Sequence, residues 1–238
     1  MGSVFLRAEW RKLMMANYAV DPNLLESYIP PHTELDLWNG KCYVSLVGFM
    51  FQNTRILGVK IPFHADFEEV NLRFYVKYND GKVWHRGVVF LREIVPRPAV
   101  TLIANTLYGE KYATLRMRHL WVKREGELQV LYGWKKQKWH SMCIQAEPVL
   151  YPIEENSVEE FITEHYRGYT KLAGGKTAEY EVEHPRWEVY KTKSFSIEVD
   201  FGKVYGTEFD FLSGSEPDSV LLAEGSQITV RTRKVLQK

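Results

Sequence analysis

The run FEEVNLRFYVKY (67–78) leads into Asn79-Asp80-Gly81-Lys82, and VWHRGVVFLREIV (83–95) leads away from it. Asp-Gly between two alternating runs is a strong hairpin signal, because the tight turn joining twisted strands needs residues that accept positive φ. Side chains on a strand alternate between faces. Val70, Leu72, Phe74 and Val76 therefore share one face, which reads as a core side. Glu69, Asn71, Arg73, Tyr75 and Lys77 share the other. A face this polar meets either solvent, with ion pairs across the strands, or the wall of a polar hollow.

The same pattern recurs. ELDLW and KCYVSLVGFMF flank Asn39-Gly40, and ATLRMRHLWVKR and ELQVLYGW flank a turn near Glu125-Gly126. KWHSMCIQAE, YEVEHPRWEVYKTKSFSIEV and SQITVRTRKVL extend the β reading, and aromatic residues at 14% fit pleated, half-buried surfaces. Helical signals are fewer. Asp21-Pro22 and Pro30-Pro31 bracket a short helix over 22–29. PAVTLIANTLYG reads as a helix ending at Gly109. Ser157 and Glu160 form a capping box opening SVEEFITEHYRGYTKL, which Gly174-Gly175 would end. There is no repeat, low-complexity tract or linker, so residues 1–238 read as one domain. With many strands and few blunted edges, the expected fold is mainly β (α+β). It would be a closed antiparallel β-barrel with about three peripheral helices.

Several function classes lack support. With 31 basic and 30 acidic residues the net charge is +1, so neither nucleic acid nor a membrane is an expected partner. GWKKQKWH (133–140) interleaves Lys135, Lys136 and Lys138 with Trp134 and Trp139, which an exposed hairpin strand explains. Cys42 and Cys143 are not paired by spacing and read as reduced thiols of a cytoplasmic protein. No apolar run has signal or bilayer-spanning length, and Leu6 breaks the myristoylation pattern. The histidines His32, His64, His85, His119, His140, His165 and His184 are scattered without metal-ligand spacing, so no metal is expected. Phosphate-binding glycine loops and a GxSxG elbow are absent, and no cofactor is expected.

VDPNLLESYIPPHTELDLWNGKCYVSLVGFMF, FEEVNLRFYV, GVVFLREI, LYGEKYATLRM and HPRWEVY resemble, in this order, segments of the DUF2071 (YqjF-like) family. The resemblance covers residues 5–232, and NLRFYV and HPRW are its more specific pieces. That family is grouped with the acetoacetate decarboxylase-like fold. The resemblance therefore implies a cone-shaped, closed β-barrel around an internal cavity, and it carries no settled activity.

Acetoacetate decarboxylase works through a lysine amine made nucleophilic by a neighbouring cation. Its glycine, any residue, proline, lysine, lysine stretch resembles Gly109 to Ala113 here. Lys111 falls on the proline place, and Tyr112 and Ala113 hold the two lysine places. An offset of one residue turns a side chain to the other face of an extended segment, and the adjacent Glu110 would keep an amine protonated. Lys111 thus reads as a solvated or ion-paired lysine, with an imine-forming role as the alternative. The resemblance places Glu69, or equally Glu68, near a pocket glutamate of the decarboxylases.

The candidate catalytic residues are Glu69 and Glu93 as proton carriers and Arg73 as a carboxylate clamp, with Lys111 as the contested amine. Asn71, Arg92, Tyr108, Tyr112 and Arg116 are the candidate ligand-binding residues. The expected partner is a small organic molecule, acidic or carbonyl-bearing. A decarboxylase-like lyase and a non-catalytic interaction protein with a filled barrel are the alternatives, and a homo-oligomer stays open. His184-Pro185-Arg186-Trp187 reads as a rigid turn with a buried tryptophan, or as part of a barrel mouth.

Overall fold

The computed structural model of the chain describes residues 2–236, except for the side chains of Leu107 and Tyr108. In chain order the elements are β1 (Val4–Val20), β2 (Thr33–Leu35), β3 (Cys42–Ile56), β4 (Phe67–Asn79), β5 (Trp84–Val95), α1 (Pro98–Ile103), β6 (Tyr112–Thr114), β7 (Arg116–Arg124), β8 (Glu127–Lys136) and β9 (Lys138–Pro152). There follow α2 (Val158–Thr163), β10 (Arg167–Leu172), β11 (Lys176–Glu183), β12 (Glu188–Glu198), α3 (Phe201–Tyr205), β13 (Ser219–Arg231) and β14 (Lys234–Val235).

These strands join one sheet. Seven of them, in the order β11-β10-β5-β4-β3-β1-β13, return on themselves because β11 also pairs with β13. The path then runs on from β13 through β12, β9 and β8 to β7. This corrects the expected closed antiparallel β-barrel with peripheral helices. β5 pairs in parallel with both β6 and β10, so the sheet is mixed. A closed barrel needs a consistent ladder between all neighbours. Here β5 meets β10 at one pair, Gly168↔Val88, and β11 meets β13 at two, Val182↔Val230 and Glu183↔Thr229. The fold is a mixed α/β one, a seven-strand ring inside a larger sheet, and its α-helices have five or six residues among the described residues.

The hairpin read from 67–95 forms as β4–β5, closing at Asn79↔Trp84. Asp80 Oδ1 accepts from the backbone N–H groups of Lys82 and Val83, both at 2.9 Å, which fixes the turn. The pairing slips between Leu72↔Arg92 and Arg73↔Phe90. Such a bulge adds a residue to one strand and re-aims its side chains. Glu93 lies opposite Asn71, and Phe90 opposite Arg73, so Glu93 and Phe90 share a face although they are three residues apart.

Both faces of the central strands are covered. Val70, Leu72, Phe74 and Val76 pack with Val44, Leu46, Trp134, Met142 and Phe201 in one core. Met15, Val47, Phe49, Tyr75, Phe161 and Trp187 form a second core on the opposite side. β3 is buried from Cys42 through Phe51, which explains why its sequence is apolar nearly without alternation.

Three local expectations change. The 22–29 helix is a 3-10 segment, Pro22–Tyr28, capped by the Asp21 carboxylate accepting from Asn23 N at 2.9 Å. Asn39 and Gly40 do make a tight turn, with φ of 48° and 79°. The strand before it is only β2, and β2 pairs with β4 instead of β3. The capped helix at Ser157 stops at Thr163. Ser157 Oγ accepts from Glu160 N at 3.1 Å, while Glu160 Oε2 accepts from Asn156 N at 2.6 Å. Beyond it Arg167–Leu172 is strand, paired along its length with β11. Gly168 is required there by close approach, since a Cβ would lie 2.1 Å from Cζ of Tyr180.

Candidate functional site

The second core does not fill its side of the ring. It leaves a cavity of about 170 Å³ whose walls come from β1, β3, β4, β5, β10, β11 and β13, with α1 alongside. Trp10, Phe49, Phe51, Phe90, Val100 and Trp187 supply apolar wall. The polar face of β4 turns into the same space: Glu69, Asn71 and Arg73 line it, together with Glu93 and Tyr112. Glu69 and Glu93 are each 2% exposed and Asn71 1%.

Alternation along β4 sets Glu69, Asn71 and Arg73 side by side, and the β4–β5 register brings Glu93 against Asn71. β6 pairs in parallel with the end of β5, Tyr112 beside Glu93, which carries the tyrosine inward. Glu69 Oε1 accepts from Asn71 Nδ2 at 2.9 Å, and its Oε2 accepts from the Tyr112 hydroxyl at 2.9 Å. A third carboxyl, Glu110, also lines the cavity and accepts from Thr170 Oγ1 at 2.7 Å. Tyr180 donates to Glu110 as well.

Burial is the main influence on these acids. It pushes Glu69 and Glu110 up to about 7, against the lowering effect of their hydrogen bonds. Glu93 is raised well above the usual carboxylate range, first by burial and then by the charges of Glu110 and Glu69. Tyr112 and Tyr180 are raised well above their ordinary value by burial and by the same carboxylates, and so remain phenols at neutral pH. The cluster therefore holds protons at neutral pH and can both give and take one. Glu93 Oε2, Asn71 Oδ1 and Arg73 Nε have no hydrogen-bond partner among the described residues. Among the described residues, Arg73 Nη2 reaches the Ile162 carbonyl at 3.5 Å and Met15 Sδ at 3.8 Å.

Histidines complete the far wall. His165 donates through Nε2 to Asp36 Oδ2 at 3.1 Å, and Arg86 Nε donates to the same oxygen at 2.6 Å. His184 stacks on Trp187 with centroids 4.1 Å apart, and both line the cavity. The HPRW segment thus holds a buried Trp187, and its His184 and Trp187 border the hollow.

Of the residues picked from sequence, the structure brings together Glu69, Asn71, Arg73, Glu93 and Tyr112. Glu68 points the other way, to His119 Nδ1 at 2.7 Å, which separates it from Glu69. Lys111 is exposed, with its ammonium 5.1 Å from the Tyr28 ring centre, and no lysine lines the cavity among the described residues. Arg92, sent to the opposite face by the bulge, donates to the Val204 carbonyl at 2.8 Å. Arg116 is exposed, 5.9 Å from the Trp139 ring centre. The side chain of Tyr108 lies outside the described residues. Sequence reasoning missed Glu110, His165 and Tyr180. The offset that turns Lys111 away is the signal that could have turned Glu110 inward.

No group of three or more His, Cys, Asp or Glu side chains among the described residues is arranged to hold a metal ion. No helix among them is long and apolar enough to cross a membrane.

The family described as DUF2071, uncharacterized conserved protein, matches residues 7–227. The uncharacterized protein YqjF of Bacillus subtilis is 28% identical over 189 residues, which cover 78% of this chain and 75% of that one. Among solved structures, acetoacetate decarboxylase from Legionella pneumophila superposes with a TM-score of 0.67 at 12% identity, covering 99% of this chain and 88% of that one. The enduracididine biosynthesis enzyme MppR complexed with pyruvate gives 0.69 at 10% identity, covering 100% and 92%. At such identities the likeness is one of fold alone.

Proposed function

From the premise that the chain belongs to the DUF2071 family, described only as uncharacterized conserved proteins, we propose a function read from the cavity itself. The protein binds a small organic acid or carbonyl compound with an apolar body. Arg73 takes the ligand's carboxylate or carbonyl oxygen. Glu69, Glu93 and Glu110, linked through Tyr112 and Tyr180, supply and accept the proton of any reaction there. The observation that carries this reading is the burial of a charged strand face inside a hollow, with one guanidinium nitrogen and two side-chain oxygens unpaired among the described residues. Unpaired buried polar groups are costly and are commonly met by a ligand or water. A ~150 Å³ apolar cavity is known to hold a benzene ring, so a ligand with an aryl-sized body is in scale.

Proton exchange is favoured over imine chemistry because no lysine lines the cavity among the described residues. An imine would need an unprotonated amine within reach of the bound carbonyl.

The test is thermal denaturation with 3-phenylpropanoate and phenylpyruvate. A ligand that binds only the folded state raises its stability by about 2.7 kcal/mol at a hundred times Kd. A saturable rise is expected for the wild type. Arg73→Met should weaken it by roughly ten- to hundredfold, the worth of a hydrogen bond to a charged group. If no acid or carbonyl compound stabilises the wild type, or Arg73→Met responds as well, the reading fails.

A further inference from the structure

One buried base in the cavity wall has no part in the reading above. The side chain of His165 is 1% exposed, and the residue lines the cavity. Its tautomer follows from its partner. Asp36 is held below the usual carboxylate range: burial pushes it up, but the hydrogen bonds from His165 and Arg86 outweigh that. An ionised carboxylate only accepts, so the imidazole proton is on Nε2 and the lone pair is on Nδ1. Nδ1 is shut off from solvent and has no partner among the described residues. The ring cannot swing to find one, since Tyr75 and Phe161 hold it with centroids at 4.7 and 5.1 Å. The Arg73 guanidinium lies 5.7 Å from the centre of the same Tyr75 ring. An acceptor and a cation that both line the cavity therefore flank one buried tyrosine of the second core.

We propose that His165 Nδ1 accepts a hydrogen bond from a hydroxyl of the acid bound at Arg73, so that the cavity prefers hydroxy acids. The inference rests on the Arg73 reading above and narrows its ligand class. The charged neighbours decide against other donors. Asp36, Arg86 and Arg73 are the charged groups acting on the ring, and two of the three are cations. An ammonium would be repelled by both arginines, whereas a neutral hydroxyl would not. A ketone oxygen has no hydrogen to give. The imidazole stays neutral, since burial brings it down to about 4, Arg86 and Arg73 adding to that and Asp36 opposing it.

The test compares 3-phenyllactate with 3-phenylpropanoate, which differ by one hydroxyl, in calorimetric titrations of the wild type, His165→Phe and Arg73→Met. In the wild type one enantiomer of phenyllactate should bind about tenfold or more tighter than phenylpropanoate, the scale of a well-made buried hydrogen bond. His165→Phe keeps a flat ring between Tyr75 and Phe161 but no acceptor. It should bring the ratio to about one while leaving phenylpropanoate binding within a few-fold. Nitrogen NMR of histidine-labelled wild type needs no variant. The His165 Nδ1 resonance should move with phenyllactate and stay with phenylpropanoate. Equal affinities in the wild type, an unchanged ratio in His165→Phe, or a resonance blind to phenyllactate would overturn the proposal. Failure of both acids to bind, or full binding by Arg73→Met, would instead remove the Arg73 reading and this inference with it.

Discussion

Glu93→Gln should make the folded chain more stable than the wild type at pH 8 and nearly the same at pH 5. Glu93, Glu69 and Glu110 all have folded-state values raised above the ordinary 4.5. The folded protein therefore keeps protons that the unfolded chain releases. The stability contributed by that retention is full below about pH 4.5 and is lost as the pH climbs through the folded-state values. For a carboxyl moved from 4.5 to about 7, as Glu69 is, the loss is roughly 3 kcal/mol once the pH is well above 7. Glu93 is raised well above 4.5 by burial and by the charges of Glu110 and Glu69, so its contribution has the same sign. Glutamine has the shape of the protonated acid, cannot ionise, and gives its amide hydrogens to the carboxylates beside it. At pH 8 the gain should appear as roughly 5–10 °C in Tm. The difference between variant and wild type isolates the effect, because Asp36 and Glu68, held low, act in the opposite direction at acid pH. Equal stability of the two proteins at pH 8 would mean that Glu93 is not buried as described.

Gly225→Ala should be the most damaging single methyl in the molecule. Gly225 pairs with Arg11 where β13 crosses β1, at a φ of +79°. A Cβ there would lie 2.0 Å from the Trp10 carbonyl oxygen and 2.6 Å from Leu13 Cδ1. The first obstacle is backbone inside a long ladder and cannot yield without breaking pairs. Left-handed strain adds to the overlap, so about 4 kcal/mol or more is expected. Gly126 provides the control. Its φ is +69°, but nothing lies within 4 Å of an added Cβ. Gly126→Ala should therefore cost only the conformational penalty, about 1–2 kcal/mol. Urea denaturation of both variants decides: equal losses would show that the β1–β13 approach is not close.

The parts of this molecule that depend on neighbours in sequence were legible from it. The β4–β5 hairpin, the turn at Gly126 and the Ser157 cap follow from turn and capping chemistry alone. Glu69, Asn71 and Arg73 emerged as a group because a strand's period of two puts them on one face. Alternation does not say which strand meets which. The parallel contact of β10 with β5 and the return of β11 to β13 join segments far apart in the chain, and they decide that the sheet is a mixed ring with a long extension. The 164–172 segment shows how a capping signal can be carried too far. Its Tyr166, Tyr169 and Thr170 suit a strand, and Gly168 is needed beneath Tyr180. Arg92 and Glu93 could not both face inward on one regular strand, and only the bulge says which of them does. Glu110, His165 and Tyr180 come from three other segments, so no spacing announces them.

The aromatic wall of His184, Trp187 and Trp10 has a practical consequence. Trp10 and Trp187, with centroids 6.3 Å apart, are the indoles that border the hollow, and His184 covers one face of the second. Anything that enters must alter the surroundings of those two chromophores while leaving distant ones such as Trp134 and Trp139 as they were. Any occupancy would therefore be written into the protein's own fluorescence, and a ligand screen can proceed by light alone, without dye or label.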